Sequence, residues 1–84
     1  MYNYQEQRPF VFTEEGQKTF LKIRDRVDAL SKVAGALTMS FAMGAATGDT
    51  WQLLACVDRL VELGEIREIP QSNVSGQNRI FVKI

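Results

Sequence analysis

The run Asp49-Thr50-Trp51-Gln52-Leu53-Leu54-Ala55-Cys56-Val57-Asp58-Arg59-Leu60-Val61-Glu62-Leu63-Gly64-Glu65-Ile66 (residues 49–66) decides the fold. Leu53, Leu54, Val57, Leu60 and Val61 recur at three- and four-residue intervals, which puts them on one face of a helix spanning about Thr50–Leu63. Asp49 supplies an N-cap, with Gln52 three residues on as its capping-box partner. Gly64 supplies a helix terminator, and Ile66 falls where such an end places its hydrophobic contact. Beyond it, Ile66–Ile69 reads as a strand and 70–78 as a polar loop. Arg79–Ile84 alternates, with Ile80, Val82 and Ile84 on one face. The helix therefore runs into a β-hairpin.

Working back towards the N-terminus, Leu37–Ala46 carries no charge, and Thr38 can cap a short helix over about Met39–Ala45. A break at Thr47-Gly48 separates it from Asp49. Further upstream, Phe20, Ile23, Val27, Leu30 and Ala34 form a single apolar stripe, predicting a helix from about Glu14 to Ala34. Thr13 caps its start, Glu14 and Glu15 suit its dipole, and Gly35 is placed to end it. Opposite the stripe lie Lys18, Lys22 and Arg26, read either as a solvated face with Glu14–Lys18 and Asp28–Lys32 pairs or as a minor phosphate-contacting strip. Leu21 and Val33 lie off the stripe, where they can pack on the N-terminal arm or join two copies of the chain. Residues 1–12 are expected to form that arm, extended, with alternating aromatics and with Pro9 keeping its later part out of a helix.

The chain has 84 residues, enough for one core. With 45% hydrophobic and 24% charged residues it has the composition of a globular domain rather than a disordered one. It has one cysteine and no histidine, so no internal disulfide is expected and the usual zinc, haem and iron–sulfur sites lack their ligands. No metal or other cofactor is expected. The longest apolar runs fall well short of the ~20 residues that span a bilayer, and the N-terminal residues lack a signal-peptide pattern. The expectation is a cytoplasmic protein with no membrane partner.

Residues 37–69 resemble the helix-turn-helix and first wing strand of the winged-helix superfamily of bacterial regulators. The resemblance rests on Leu37-Thr38-Met39, on the turn Thr47-Gly48-Asp49-Thr50, and on Leu54…Val57…Leu60-Val61-Glu62-Leu63-Gly64-Glu65-Ile66. It extends to about residues 13–84 when the first long helix and the second wing strand are included. The fold expected from it is α+β: a winged helix-turn-helix of three helices and a C-terminal β-hairpin wing, preceded by the extended arm of residues 1–12. It implies a small DNA-binding regulator of bacterial or phage type acting in transcription, with the helix over 50–63 as recognition helix in the major groove of double-stranded DNA. A homodimer would suit symmetric DNA sites.

The residues divide on that function. The face of this helix opposite its core carries Trp51, Gln52, Ala55, Asp58, Arg59 and Glu62. Gln52 can pair with adenine, Arg59 with guanine, and Thr50 can reach a phosphate or a base edge. On the wing, Gln77, Asn78 and Arg79 form a positively tipped end suited to phosphate or a minor groove. The same loop composition also arises simply from the need for turn formers.

Against DNA stand Asp49, Asp58, Glu62 and Glu65, opposed in this segment by Arg59 alone, and a formal net charge of zero. The alternative is a protein–protein interaction module using Trp51, Ala55, Asp58 and Glu62 as an acidic contact face for another protein. Trp51 reads either as an exposed anchor or as a residue covered by the aromatic arm. Catalysis is not expected. The chain has no phosphate-binding glycine loop and no Ser–His or Cys–His pair, and Cys56 reads as a small core residue.

Overall fold

A computed structural model describes residues 1–44, 48–70 and 79–84. In chain order the described elements are α1 (Tyr4–Val11), α2 (Glu14–Ser31), β1 (Leu37–Thr38), α3 (Met39–Met43), α4 (Thr50–Glu62), β2 (Ile66–Ile69) and β3 (Ile80–Lys83). The architecture is α+β, with four helices and one antiparallel sheet of three strands among the described residues, in the order β1-β3-β2.

The decisive segment folds as its residues dictate. The Asp49 carboxylate accepts the Trp51 amide at 2.8 Å, capping α4. At the other end Gly64 takes a positive φ of 76°. Its amide donates to the Val61 carbonyl and the Glu65 amide to the Leu60 carbonyl, the two bonds of a Schellman end. Ile66 is then buried at the start of β2. Leu53, Leu54, Ala55, Cys56, Val57 and Leu60 are all buried in a core shared with Phe20, Ile23 and Val27 of α2. No helix among the described residues is long and apolar enough to cross a membrane.

Three expectations are corrected. Residues 1–12 are not an extended arm: Asn3 caps a helix by accepting the Gln5 amide, Glu6 and Arg8 suit its two ends, and Pro9 sits inside it. Proline removes one backbone donor, a loss offset here by docking against α4.

The last two strands are not a two-stranded hairpin alone, because β1 adds to β3 with Leu37 opposite Phe81. Nor is Gly35 the end of α2, which closes at Ser31–Lys32. Gly35 is absent from the glycines with positive φ among the described residues. In β3 the alternation holds, with Ile80 and Val82 half-buried on one face, while the side chain that enters the core is Phe81 on the other and Ile84 is exposed.

The α1–α2 corner is tight. Thr13 caps α2 by accepting the Gly16 amide, and its hydroxyl donates to the Phe10 carbonyl. A Cβ on Gly16 would lie 1.8 Å from that same carbonyl oxygen. Gly16 is there because the end of α1 presses on α2 at this point.

Candidate functional site: the outward face of α4

In α4, residues 55, 58, 59 and 62 follow one another at helical spacing along the side turned away from α2. That side is occupied by α1. Ala55 is fully buried, so it forms part of a floor rather than an exposed contact.

Two carboxylates anchor the cover. The Tyr2 hydroxyl donates to Asp58 at 2.6 Å, and the Tyr4 hydroxyl to Glu62 at 2.7 Å. Arg8 Nε donates to both oxygens of Glu62 at 3.0 Å, and Arg59 donates to the same carboxylate at 2.7 Å. The Phe12 ring at the end of α1 lies 4.8 Å from the Arg8 guanidinium carbon and 5.0 Å from that of Arg59.

Asp58 joins a second network. Arg79 donates two hydrogen bonds to Asp58, at 2.8 and 3.2 Å, and two to Glu68, at 2.8 and 3.0 Å, while lying over the Phe81 ring. These are fork-shaped, charge-assisted contacts. They tie α4, β2 and the start of β3 together, with the residues just ahead of α1 held to the same carboxylate through Tyr2.

The ionisation of these groups follows from the contacts. The hydroxyl of Tyr4, then Arg59 and Arg8, hold the Glu62 carboxyl at about 2. Burial, then the hydrogen bond to Glu62, pushes the Tyr4 phenol up to about 12. Burial and Asp58 raise the Tyr2 phenol in the same sense. Glu68 is lowered by its bond to Arg79, and the Arg79 guanidinium is raised chiefly by Glu68. Burial lifts the Cys56 thiol to about 11, which leaves little thiolate at neutral pH.

A pH dependence follows. A carboxyl whose folded value lies below its ordinary 4.5 favours the fold when ionised, and that contribution is lost as pH falls through about 2. Thermal unfolding followed against pH is expected to show stability falling between roughly pH 5 and 2. Glu62→Gln is expected to flatten the slope without abolishing it, because Glu68 is shifted in the same direction. An unchanged slope in that variant would show that the Glu62 contacts do not form in solution.

The predicted site residues therefore separate. Asp58, Arg59, Glu62 and Arg79 are brought together, but in bonds to one another, to α1 and to Glu68. Thr50 and Trp51 stay exposed at the start of α4, with Trp51 42% accessible and not covered by α1. Gln52 is half-buried, and among the described residues no bond returns from it to Asp49. Gln77 and Asn78 lie outside the described residues.

Leu21 and Val33 are both exposed, so α1 does not pack over them. Asp28 pairs with Lys83 at 2.7 Å rather than with Lys32, whereas Glu14–Lys18 forms as expected at 3.8 Å. Arg26 does not extend a phosphate strip: its Nε donates to the Phe41 carbonyl near the end of α3.

Sequence reasoning missed Tyr2, Tyr4, Arg8 and Glu68 as partners in this site. One signal was available for α1, since Tyr4, Arg8 and Val11 follow helical i, i+4, i+7 spacing. No family model matches the chain, and no curated protein or solved structure is similar to it at a significant level.

Proposed function

We propose that this chain is a non-catalytic winged helix-turn-helix module that recognises a protein partner through α4 rather than reading duplex DNA with it. The observation that carries this reading is Trp51, a large apolar side chain left 42% accessible at the start of α4. The occupancy of the rest of the outward face of α4 by α1 counts against duplex DNA. The cation Arg59 of this face and the wing-base cation Arg79 are committed to Glu62, Asp58 and Glu68, and α1 lies where a major groove would have to enter. A zero net charge leaves no general excess of cations for phosphate. The strand order, with the short β1 joining the hairpin, supports the winged-helix assignment, as do the Asp49 cap and the Gly64 terminus.

A second reading, a DNA-binding transcriptional regulator of bacterial or phage type, is favoured by one observation. Thr50, Trp51 and Gln52 occupy the first turn of α4, the part of a recognition helix that meets base edges, and α1 leaves Thr50 and Trp51 exposed.

Fluorescence anisotropy with labelled mixed-sequence duplexes, titrated between roughly 50 and 200 mM salt, separates the two. The expected result is no salt-dependent binding. A steep fall in affinity with salt, reduced by Arg59→Ala, would favour DNA and overturn the protein-binding proposal.

A further inference from the structure

We infer that Trp51 and Asp49 form a docking point for an arginine side chain of the partner protein, its guanidinium lying over the indole and paired with the Asp49 carboxylate. This rests on the protein-binding reading above and names the chemistry that the partner brings to that site.

The two other exposed aromatic rings among the described residues both carry guanidinium groups from this chain. Phe12 lies between Arg8 and Arg59, and Phe41 on α3 lies under Arg26, whose guanidinium carbon is 5.5 Å from the ring centroid. Trp51 is comparably exposed, yet among the described residues no basic side chain stacks on it. Its own stretch of sequence offers none, because residues 33–58 contain no lysine or arginine, and residues 71–78 contain none either. Indole is the aromatic ring that attracts a cation most strongly. The ring best suited to a guanidinium is thus the exposed one that this chain leaves without one.

Asp49 supplies the counter-charge. One of its oxygens accepts the Trp51 amide at 2.8 Å, which fixes the carboxylate at the start of α4, two residues from the indole. Asp58 and Glu62 each hold an arginine, whereas among the described residues Asp49 is exposed and forms no ion pair. The amide end of a helix carries only about half a positive charge, so the full negative charge of Asp49 outweighs it for an incoming cation. The same charge repels a phosphate. Arginine suits the pair better than lysine, because a planar guanidinium can stack on the indole and still donate to a carboxylate.

The chain has one tryptophan, so its emission reports on this site alone. Titrating the whole chain with an acetylated, amidated tetra-arginine peptide at roughly 50 mM salt is expected to change Trp51 emission saturably. The tetra-lysine peptide should bind at least about threefold more weakly. Asp49→Asn keeps an oxygen that can cap α4, and it is expected to weaken tetra-arginine binding about threefold to fivefold. Glu15→Gln, which removes an exposed carboxylate on α2, should leave the affinity unchanged. Anisotropy of the fluorescein-labelled peptide should show a similar threefold to fivefold loss, in order of magnitude, for Trp51→Leu.

An unsaturable response, equal affinity for the two peptides, undiminished binding by Trp51→Leu, or equal behaviour of Asp49→Asn and Glu15→Gln would overturn the inference. So would Trp51 emission that changes with protein concentration alone while sedimentation shows a dimer, which would give the site to a second copy of the chain. These results stand apart from the duplex titration. DNA binding would remove the functional reading, whereas a failed peptide titration without DNA binding would remove this inference alone.

Discussion

Gly16→Ala is expected to lower the melting temperature by about 10–20 °C, the equivalent of about 3 kcal/mol in a domain of this size. In an exposed helix the same change stabilises by up to about 1 kcal/mol, because alanine loses less entropy than glycine. Here the added methyl would sit 1.8 Å from the Phe10 carbonyl oxygen and 2.7 Å from its carbon, both backbone atoms that no rotamer change can move. Relief requires α1 to shift as a body, breaking the Thr13–Phe10 bond and the tyrosine contacts to Asp58 and Glu62. Circular dichroism melts read the effect. A variant as stable as wild type, or more so, would mean that α1 does not pack on α2 at this corner.

Arg79→Ala is expected to cost about 2–4 kcal/mol, for a different reason. It removes four charge-assisted hydrogen bonds and strands Asp58, whose side chain is 11% exposed, with only the Tyr2 hydroxyl as partner. Glu68 is more exposed and recovers part of its loss from water, which keeps the total below that of a fully buried pair. Adding Asp58→Asn should restore some stability, since the uncompensated charge is then gone. Had Arg79 been a free phosphate-binding residue, its removal would change stability by less than about 0.5 kcal/mol, and chemical denaturation distinguishes the two.

The parts of the fold that could be read in advance are those settled by near neighbours in the chain. The Asp49 cap, the Gly64 terminus and the apolar stripe of α4 depend on residues within a few positions of each other. The helix was therefore legible to within a residue at its C-terminal end. The apolar face of α2 was legible for the same reason.

What could not be read depends on distant contacts. Tyr2 and Tyr4 alternate like a strand, and Pro9 argues against helix, but the conformation of residues 4–11 is decided by Asp58 and Glu62 more than fifty positions away. In the sequence those carboxylates had no visible partners, because the residues that donate to them lie far away in the chain. Likewise Ile80, Val82 and Ile84 offer the more regular alternation, yet Phe81 takes the core because its neighbour across the ladder, Leu37, is buried. At Gly16 no local pattern points to the carbonyl that excludes a side chain.

The claim on which the account depends is that α1 lies across the outward face of α4. Nuclear Overhauser contacts in the free chain test it most directly. Cross-peaks are expected from the Tyr4 ring to the Glu62 side chain and from the Phe12 ring to the side chains of Arg8 and Arg59. If the Tyr4 and Phe12 rings contact only their own sequence neighbours while residues 50–62 remain helical, the face is open and the account is contradicted.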